Sequence, residues 1–403
     1  MSGGNGPAIG IGWRPEIDLT VESLPGLDFV EVIAEGVDPA RLPESLRVLR
    51  SREISVVPHS VSLSLGGAAP PDPARLDRLA EVAHALDAPL VSDHVAFVRS
   101  GDRETGHLMP VPRTREALDV VVANVRAAQE RLGLPLAVEN IAALLAWPED
   151  ELTEAQFLTE LLDRTGALLL LDVANLYAVG VNFGADPAEA LDELPLERVA
   201  YVHVAGGVNL DGIWHDTHTH PVTQPILDVL AAAAQRAELP AVMLERDGNY
   251  PSPEDLAGEL TAIRQTTSQE QSTSQPRGFP TPAPIPAPAP EPPPAVRART
   301  ALAGGQARLA TALAEASVEI ERFDLGRVRV QRSALVRKRS RAVARHAPTV
   351  ARLLGDRLDS LFAEYADAQP KPSGDALADV DAFLAHLRAT GRLRGRRRPR
   401  LVG

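Results

Sequence analysis

Along the first two-thirds of the chain, short apolar runs rich in aliphatic and β-branched residues alternate with stretches whose apolar residues recur at helical spacing. Eight runs read as strands. They are AIGIGW from Ala8, FVEVIAE from Phe29, SVVPHSV from Ser55, LVSDHV from Leu90, LAVEN from Leu136, LLLLDVAN from Leu168, VAYVHVAG from Val199 and AVMLER from Ala241. Intervening stretches such as 73–86, 114–132, 153–165 and 225–237 read as helices. Near-continuous apolar strands separated by helices imply a parallel sheet covered on its faces. Eight such units over about 250 residues predict an α/β fold of the (β/α)8, or TIM, barrel type. An open doubly wound sheet is the competing arrangement. Neither a GxGxxG after the first strand nor a GxxxxGK[ST] occurs, so dinucleotide and P-loop readings lack support.

The pattern changes after the barrel. Residues 265–294 begin with Gln, Ser and Thr and then run FPTPAPIPAPAPEPPP, a composition that favours a solvated polyproline II spacer. A plain tether is the expectation, with a docking site for a proline-reading module as the alternative. Beyond it, 301–319, 328–346, 349–368 and 376–390 read as helices, with Leu353, Leu354, Leu358, Leu361 and Phe362 at helical spacing. Pro348 and the QPKPSGD stretch punctuate them. The expected organisation is a barrel over 1–264, a Pro-rich disordered linker over 265–297, a small all-α domain over 298–390 and a basic disordered tail over 391–403.

Charge sharpens this division. The whole chain of 403 residues carries −13, but 297–403 hold 22 Lys and Arg against 11 Asp and Glu, and 1–296 hold 19 against 43. Such asymmetry argues for two units with different jobs. Cysteine is absent, which excludes disulfides, thiolate catalysis and cysteine-held iron–sulfur clusters. Any metal must therefore sit on nitrogen and oxygen. No run of 18 apolar residues occurs and the first residues carry no secretory signal, so a cytoplasmic protein with no membrane segment is expected.

The candidate chemistry lies where the strands end. His59 closes the third strand, Asp93 and His94 the fourth, Glu139 and Asn140 the fifth, Asp172 and Asn175 the sixth, His203 the seventh and Glu245 the eighth; Asp216 and His218 lie in the loop after the seventh. In a barrel these ends converge on one face, where active sites are built. A charged group directly after an apolar run is costly unless it is paired or metal-bound. Such a set exceeds what one tetrahedral ion needs and suggests two or three ions of iron, manganese or zinc. Asp93 is better placed to orient a ligand than to be one. His107, His215 and His220 are secondary candidates, with His220 in a supporting or substrate-contacting role.

Seven motifs, taken in order, resemble one family: HSVSLSLGG at His59, SDHVAF at Ser92, LAVEN at Leu136, LLLDVANLYAVGVNFGADP at Leu169, VHVAGG at Val202, DTHTHPV at Asp216 and LERDGN at Leu244. This is the family of multinuclear non-heme iron-dependent oxidative enzymes, typified by the methanobactin biosynthesis oxidase, and the resemblance spans about 7–264. It implies a TIM barrel holding two or three irons. Its members use O2 as co-substrate to modify residues, often cysteines, of ribosomally made precursor peptides. It implies the ligand set His59, His94, Glu139, Asp172, Asn175, His203, Asp216, His218 and Glu245. Glu139 is the candidate bridge, and Glu139, Asp172 and His203 are the residues closest to catalysis. One departure stands out: where the family commonly reads His-Ala-Glu-Asn after the second strand, this chain has Ile33, Ala34, Glu35 and Gly36, which bears on substrate choice.

Members of that family usually work with a separate protein that binds the precursor peptide. The stretch HAPTVARLLGDRLDSLFAEYADAQPKPSGDALADVDAFLAHL from His346 weakly resembles the helical, DNA-binding-like domain of one such partner class. The expectation is a fusion in which the C-terminal domain recruits the peptide, with a separate recognition protein needed if it does not. A xylose-isomerase-like isomerase or an endonuclease-IV-like hydrolase would use the same rim. The acidic barrel argues against a nucleic-acid substrate, and the arginines of GRLRGRRRPR lack an aromatic platform for one.

Overall fold

A computed structural model describes residues 6–267, 279, 293–315, 318, 320–369, 371–372 and 376–393. The strands are β1 (Ala8–Trp13), β2 (Phe29–Ile33), β3 (Ser55–His59), β4 (Val91–His94), β5 (Ala96–Ser100), β6 (Arg103–Pro110), β7 (Leu136–Glu139), β8 (Leu168–Asp172), β9 (Val199–Ala205), β10 (Gly207–Leu210), β11 (Ile213–Asp216) and β12 (Ala241–Glu245). Eight of them close a parallel barrel in the order β1, β2, β3, β4, β7, β8, β9, β12 and back to β1. These are the eight runs anticipated from the sequence. The expected (β/α)8 fold is therefore present, followed by a helical C-terminal unit.

Two hairpins interrupt the barrel, β5–β6 after the fourth barrel strand and β10–β11 after the seventh. Neither is expected from the apolar pattern, because both carry mixed, partly exposed residues. Asp216, expected in a loop, ends β11. Asn175, expected at a strand end, lies in the first turn of a helix, Val173–Phe183, that begins directly after β8.

The side-chain period of two sorts each barrel strand into an outward and an inward row. The outward rows pack on the helices. The inward rows are apolar toward the strand N-termini, where Phe29, Val57, Ala137, Leu168 and Met243 form one cluster. They turn polar toward the C-termini. Gly10 is required in this interior, since a Cβ there would lie 2.6 Å from the Phe29 ring. The floor cluster also contains Phe279, whose ring stands edge-on to Phe29 and Tyr201 at centroid distances of 4.9 and 5.6 Å. The segment expected to be a plain tether thus places one aromatic in the barrel floor. Residues 268–278, 280–292 and 394–403, most of the remainder of that segment and of the basic tail, lie outside the described residues, while 265–267 end one helix and 296–297 begin another.

By contact the chain divides into one unit of 1–99 and 108–303 and another of 100–107 and 304–403. Helices of the C-terminal part run Val296–Ala314, Leu325–His346, Pro348–Leu354, Leu358–Ala368 and Ala376–Ala389. The single helix expected over 349–368 is broken at Gly355, whose φ of 54° with an extended ψ ends one helix before the next begins. Phe362, Tyr365, Phe383 and Leu387 form the buried core there. Arg339 pairs with both oxygens of Asp379, at 2.7 and 2.9 Å, and the Tyr365 hydroxyl donates to the same carboxylate at 2.9 Å.

Candidate metal centre

Parallel register aligns the polar ends of neighbouring strands. His94 sits beside Glu139 across β4 and β7, and Asp172 beside His203 across β8 and β9. Rows two residues apart then bring His59, His94, Glu139, Asp172, His203 and Glu245 to one end of the barrel, all of them buried. The loop after β11 adds Asp216 and His218.

Local chemistry fixes each group. Asp172 is both the end of β8 and the cap of the following helix: its Oδ1 accepts from the Asn175 amide at 2.8 Å, leaving Oδ2 without a hydrogen-bond partner. Asn140 clamps this corner by bonding both the N–H and the carbonyl of Asp172 at 2.9 and 3.0 Å, and its own carbonyl accepts from Asn175 Nδ2 at 2.9 Å. Asp93 accepts from the Leu63 and His94 amides, and its Oδ1 lies 3.7 Å from His94 Nδ1. Hairpin β10–β11 is held by Asn182, whose amide side chain bonds both backbone groups of Trp214. The chain then passes so close that a Cβ on Gly206 would lie 2.0 Å from the His220 carbonyl. His218 adopts φ of 52°, an unfavourable conformation for a non-glycine residue, held by bonds from its N–H to Gly206 and from Asp247 to its carbonyl.

Donor atoms converge in overlapping sets of three: His59, His94 and Glu139; Glu139, Asp172 and His203; Asp172, His218 and Glu245; and Glu31, His203 and Glu245. Glu139 Oε2 lies 3.6 Å from His59 Nε2 and 3.2 Å from His94 Nε2, while its Oε1 lies 3.4 Å from His203 Nδ1. Glu245 similarly faces His203 Nδ1 and His218 Nδ1, each at 3.3 Å. Asp216 joins through His218 Nε2 at 2.5 Å. Shared carboxylates are what bridging between neighbouring ions requires. Asn175 differs from the other candidates, since its side-chain N–H is committed to Asn140.

The residues fit a metal group on a direct observation. Glu139 Oε2, Asp172 Oδ2, His203 Nδ1 and Asp216 Oδ1 are buried donors or acceptors with no hydrogen-bond partner, a costly arrangement unless a cation satisfies them. Without a cation the cluster holds protons instead. Burial works against a charged His94, but Glu139 and then Asp93 outweigh it and lift the ring to about 9. Burial likewise opposes ionised Glu139, yet His94 and His203 bring it down to about 2. Burial, with Glu139 and Asp216 nearby, raises Asp172 well above the usual carboxylate range.

Several functional residues escaped the sequence pattern. Arg14, just after β1, is buried and lies 3.2 Å from Glu245 and 2.7 Å from Asp247, so it balances carboxylate charge at the rim. Glu31, fully buried on β2, accepts from His203 Nε2 at 2.8 Å and from the Tyr201 hydroxyl at 2.7 Å. Of the secondary histidines, His220 lies 2.7 Å from Thr217 Oγ1 through Nδ1 and belongs to none of the ligand sets. His107 and His215 belong to none either. At the departure after β2, Glu35 accepts from the Ser60 hydroxyl and the Val61 amide, and Gly36 leaves open space where a side chain would stand.

Fold and site together define a class: a (β/α)8 barrel whose strand ends gather buried imidazoles and carboxylates able to hold metal ions. More narrowly, the chain belongs to the family of RiPP precursor modification enzymes MbnB/TglH/ChrH, matched over residues 8–268, where RiPP denotes a ribosomally made, post-translationally modified peptide. That family is associated with metal-dependent catalysis and points to an enzyme. Residues 303–389 match the SCO6045-like C-terminal domain. A UPF0276 protein of Streptomyces avermitilis is 47% identical over 95% of this chain and 88% of its own, so it shares both parts. One from Caulobacter vibrioides is 39% identical over 60% of this chain and 86% of its own. Among solved structures, a D-allulose 3-epimerase from Methylomonas sp. aligns with TM-score 0.46 at 16% identity, covering 66% of this chain and all of that one. The 3-keto-D-glucoside 4-epimerase YcjR of E. coli aligns with TM-score 0.44 at 14% identity, over 64% and 99%. Likeness at that level carries no functional weight. Among the described residues no helix is long and apolar enough to cross a membrane.

Proposed function

We propose that this protein is an iron- and O2-dependent oxidoreductase that modifies a side chain, cysteine or another, of a ribosomally made precursor peptide. The supporting observation is the run of carboxylates shared between imidazole sets, with buried atoms left unpaired, in a chain of the RiPP precursor modification family. His59, His94 and Glu139 would hold one ion. Glu139, Asp172 and His203 would hold a second, and Asp172, Asp216, His218 and Glu245 a third, with Asn175 at its margin. Bound iron would supply the electrons that activate O2. The chain's own part is to position and to exclude water. Burial of the six strand-end ligands keeps solvent from the centre, Arg14 offsets the negative charge of Glu245 and Asp247, and Asn140 fixes the β8 corner that presents Asp172.

In this reading the barrel over 1–264 carries the chemistry. The domain over 298–390 recruits the peptide, and the segment 265–297 joins the two at high effective concentration. Metal analysis of protein purified without air, followed by mass spectrometry of a precursor peptide incubated with iron and O2, tests it. Bound iron and an O2-dependent mass change are expected. No mass change, or turnover of a sugar or phosphodiester without O2, would replace this reading with another.

A further inference from the structure

On the floor side of the barrel, three buried side chains link two of the candidate ligands in one hydrogen-bonded line. His59 Nδ1 lies 2.9 Å from Ser92 Oγ, Ser92 Oγ 2.7 Å from the Tyr201 hydroxyl, that hydroxyl 2.7 Å from Glu31 Oε2, and the same oxygen 2.8 Å from His203 Nε2. Glu31, Ser92, Tyr201 and His203 are all fully buried, so no water competes for these bonds.

The line has only one consistent sense. The Tyr201 hydroxyl donates its single O–H to Glu31 Oε2. Tyr201 must then accept from Ser92, and Ser92, its proton committed, must accept from His59. That places the His59 proton on Nδ1 and the His203 proton on Nε2. The nitrogens that the line does not engage are His59 Nε2 and His203 Nδ1, the two that face Glu139.

From this we infer that Glu31, Tyr201 and Ser92 are positioning residues whose one-way hydrogen-bond line selects the ring nitrogens that His59 and His203 offer to metal. One carboxylate on β2 thereby sets ligands of two neighbouring ion positions on β3 and β9. Phe279 supports the line from below by packing edge-on to Tyr201. The inference rests on the metal-holding reading above. It differs from that reading in assigning a role to residues outside the three ion positions proposed there.

Ser92→Ala removes one hydroxyl and Tyr201→Phe another, both with little change of shape. Metal-free wild type and variants are titrated anaerobically with Fe(II), and separately with Mn(II), against a chromophoric chelator; thermal melts of the metal-free proteins run in parallel. In Ser92→Ala the expected result is about 10-fold to 100-fold weaker binding of the ion held by His59, with the remaining ions unchanged, so that stoichiometry at limiting free metal falls by one. In Tyr201→Phe both positions weaken. Ser92→Thr, which keeps the hydroxyl, binds like wild type. Metal binding by Ser92→Ala equal to wild type overturns the inference, as does a Ser92→Thr protein as weak as Ser92→Ala. A role in packing alone would lower the melting temperature of Ser92→Ala and leave its metal titration unchanged, which also overturns it. A wild type that takes up neither ion fails the metal reading itself, and is told apart because no variant is needed to see it.

Discussion

Glu139→Gln preserves shape and removes charge at the point where the ligand sets meet. In metal-free protein its partner His94 is lifted from 6.5 to about 9, against the opposing pull of burial. At about 1.4 kcal/mol per pKa unit this corresponds to roughly 3 kcal/mol of stabilisation of the folded, charged ring. The lowering of Glu139 from 4.5 to about 2 describes largely the same interaction and is not added again. The His94 contribution is fully present below its unfolded value of 6.5 and is lost as pH rises through 9. The Glu139 contribution is present above 4.5 and is lost as pH falls through 2. Both are complete only between those limits, near pH 6. The assay is urea unfolding of chelator-treated protein followed by tryptophan emission. Trp13, Trp147 and Trp214, the three tryptophans of the chain, are all buried in the barrel unit, so the signal reports that unit alone. The variant should be less stable than wild type by roughly 3 kcal/mol near pH 6, and the difference should shrink as pH approaches about 10. A difference that is absent near pH 6, or the same at both values, would refute the pairing.

His94, lifted to about 9, holds a proton at neutral pH that metal uptake must displace, so calorimetry in two buffers of different ionisation enthalpy should detect proton release, and buffer-independent heats would contradict it. Gly206→Ala forces its Cβ against the fixed His220 and Pro221 carbonyls and should push away the loop bearing Asp216 and His218. Metal per protein should fall while the ion on His59 and His94 is retained, and an unchanged ratio would show that the loop yields without cost. Asp379→Asn leaves the Arg339 guanidinium partly buried beside a neutral amide, so the helical unit should lose about 3 kcal/mol, measured by circular dichroism on a chain whose tryptophan transition stays in place.

Much of this was legible because the barrel writes its site into strand ends. Where LLLL is followed by Asp172, or AV by Glu139, the break from apolar to polar marks both the end of the strand and the group that faces the mouth. Residues below that layer were not legible. Glu31 sits in FVEVIAE and Tyr201 in VAYVHVAG, each in an ordinary alternating strand, and period two alone does not say whether the inward row is apolar or charged. Arg14 and Asp247 follow the ends of β1 and β12, far apart in sequence, and only closure of the sheet brings them together. Hairpin β10–β11 did carry a signal. Asp211 and Gly212 both have positive φ, 53° and 82°, and form the Asp-Gly pair that favours a tight hairpin turn between two short strands. Gly355 within the expected helix over 349–368 was a comparable warning.

The closure of β12 between β9 and β1 bears on how the protein is made. The candidate ligands emerge from the ribosome in the order His59 to Glu245, and the strand bearing the last of them is also the one that joins the two ends of the sheet. A nascent or truncated chain can display His59, His94 and Glu139 but has no Glu245 and no closed wall. In the proposed metal-binding reading, only a chain read through its eighth barrel strand would present the complete ligand set, so metal retention would report that synthesis had reached β12.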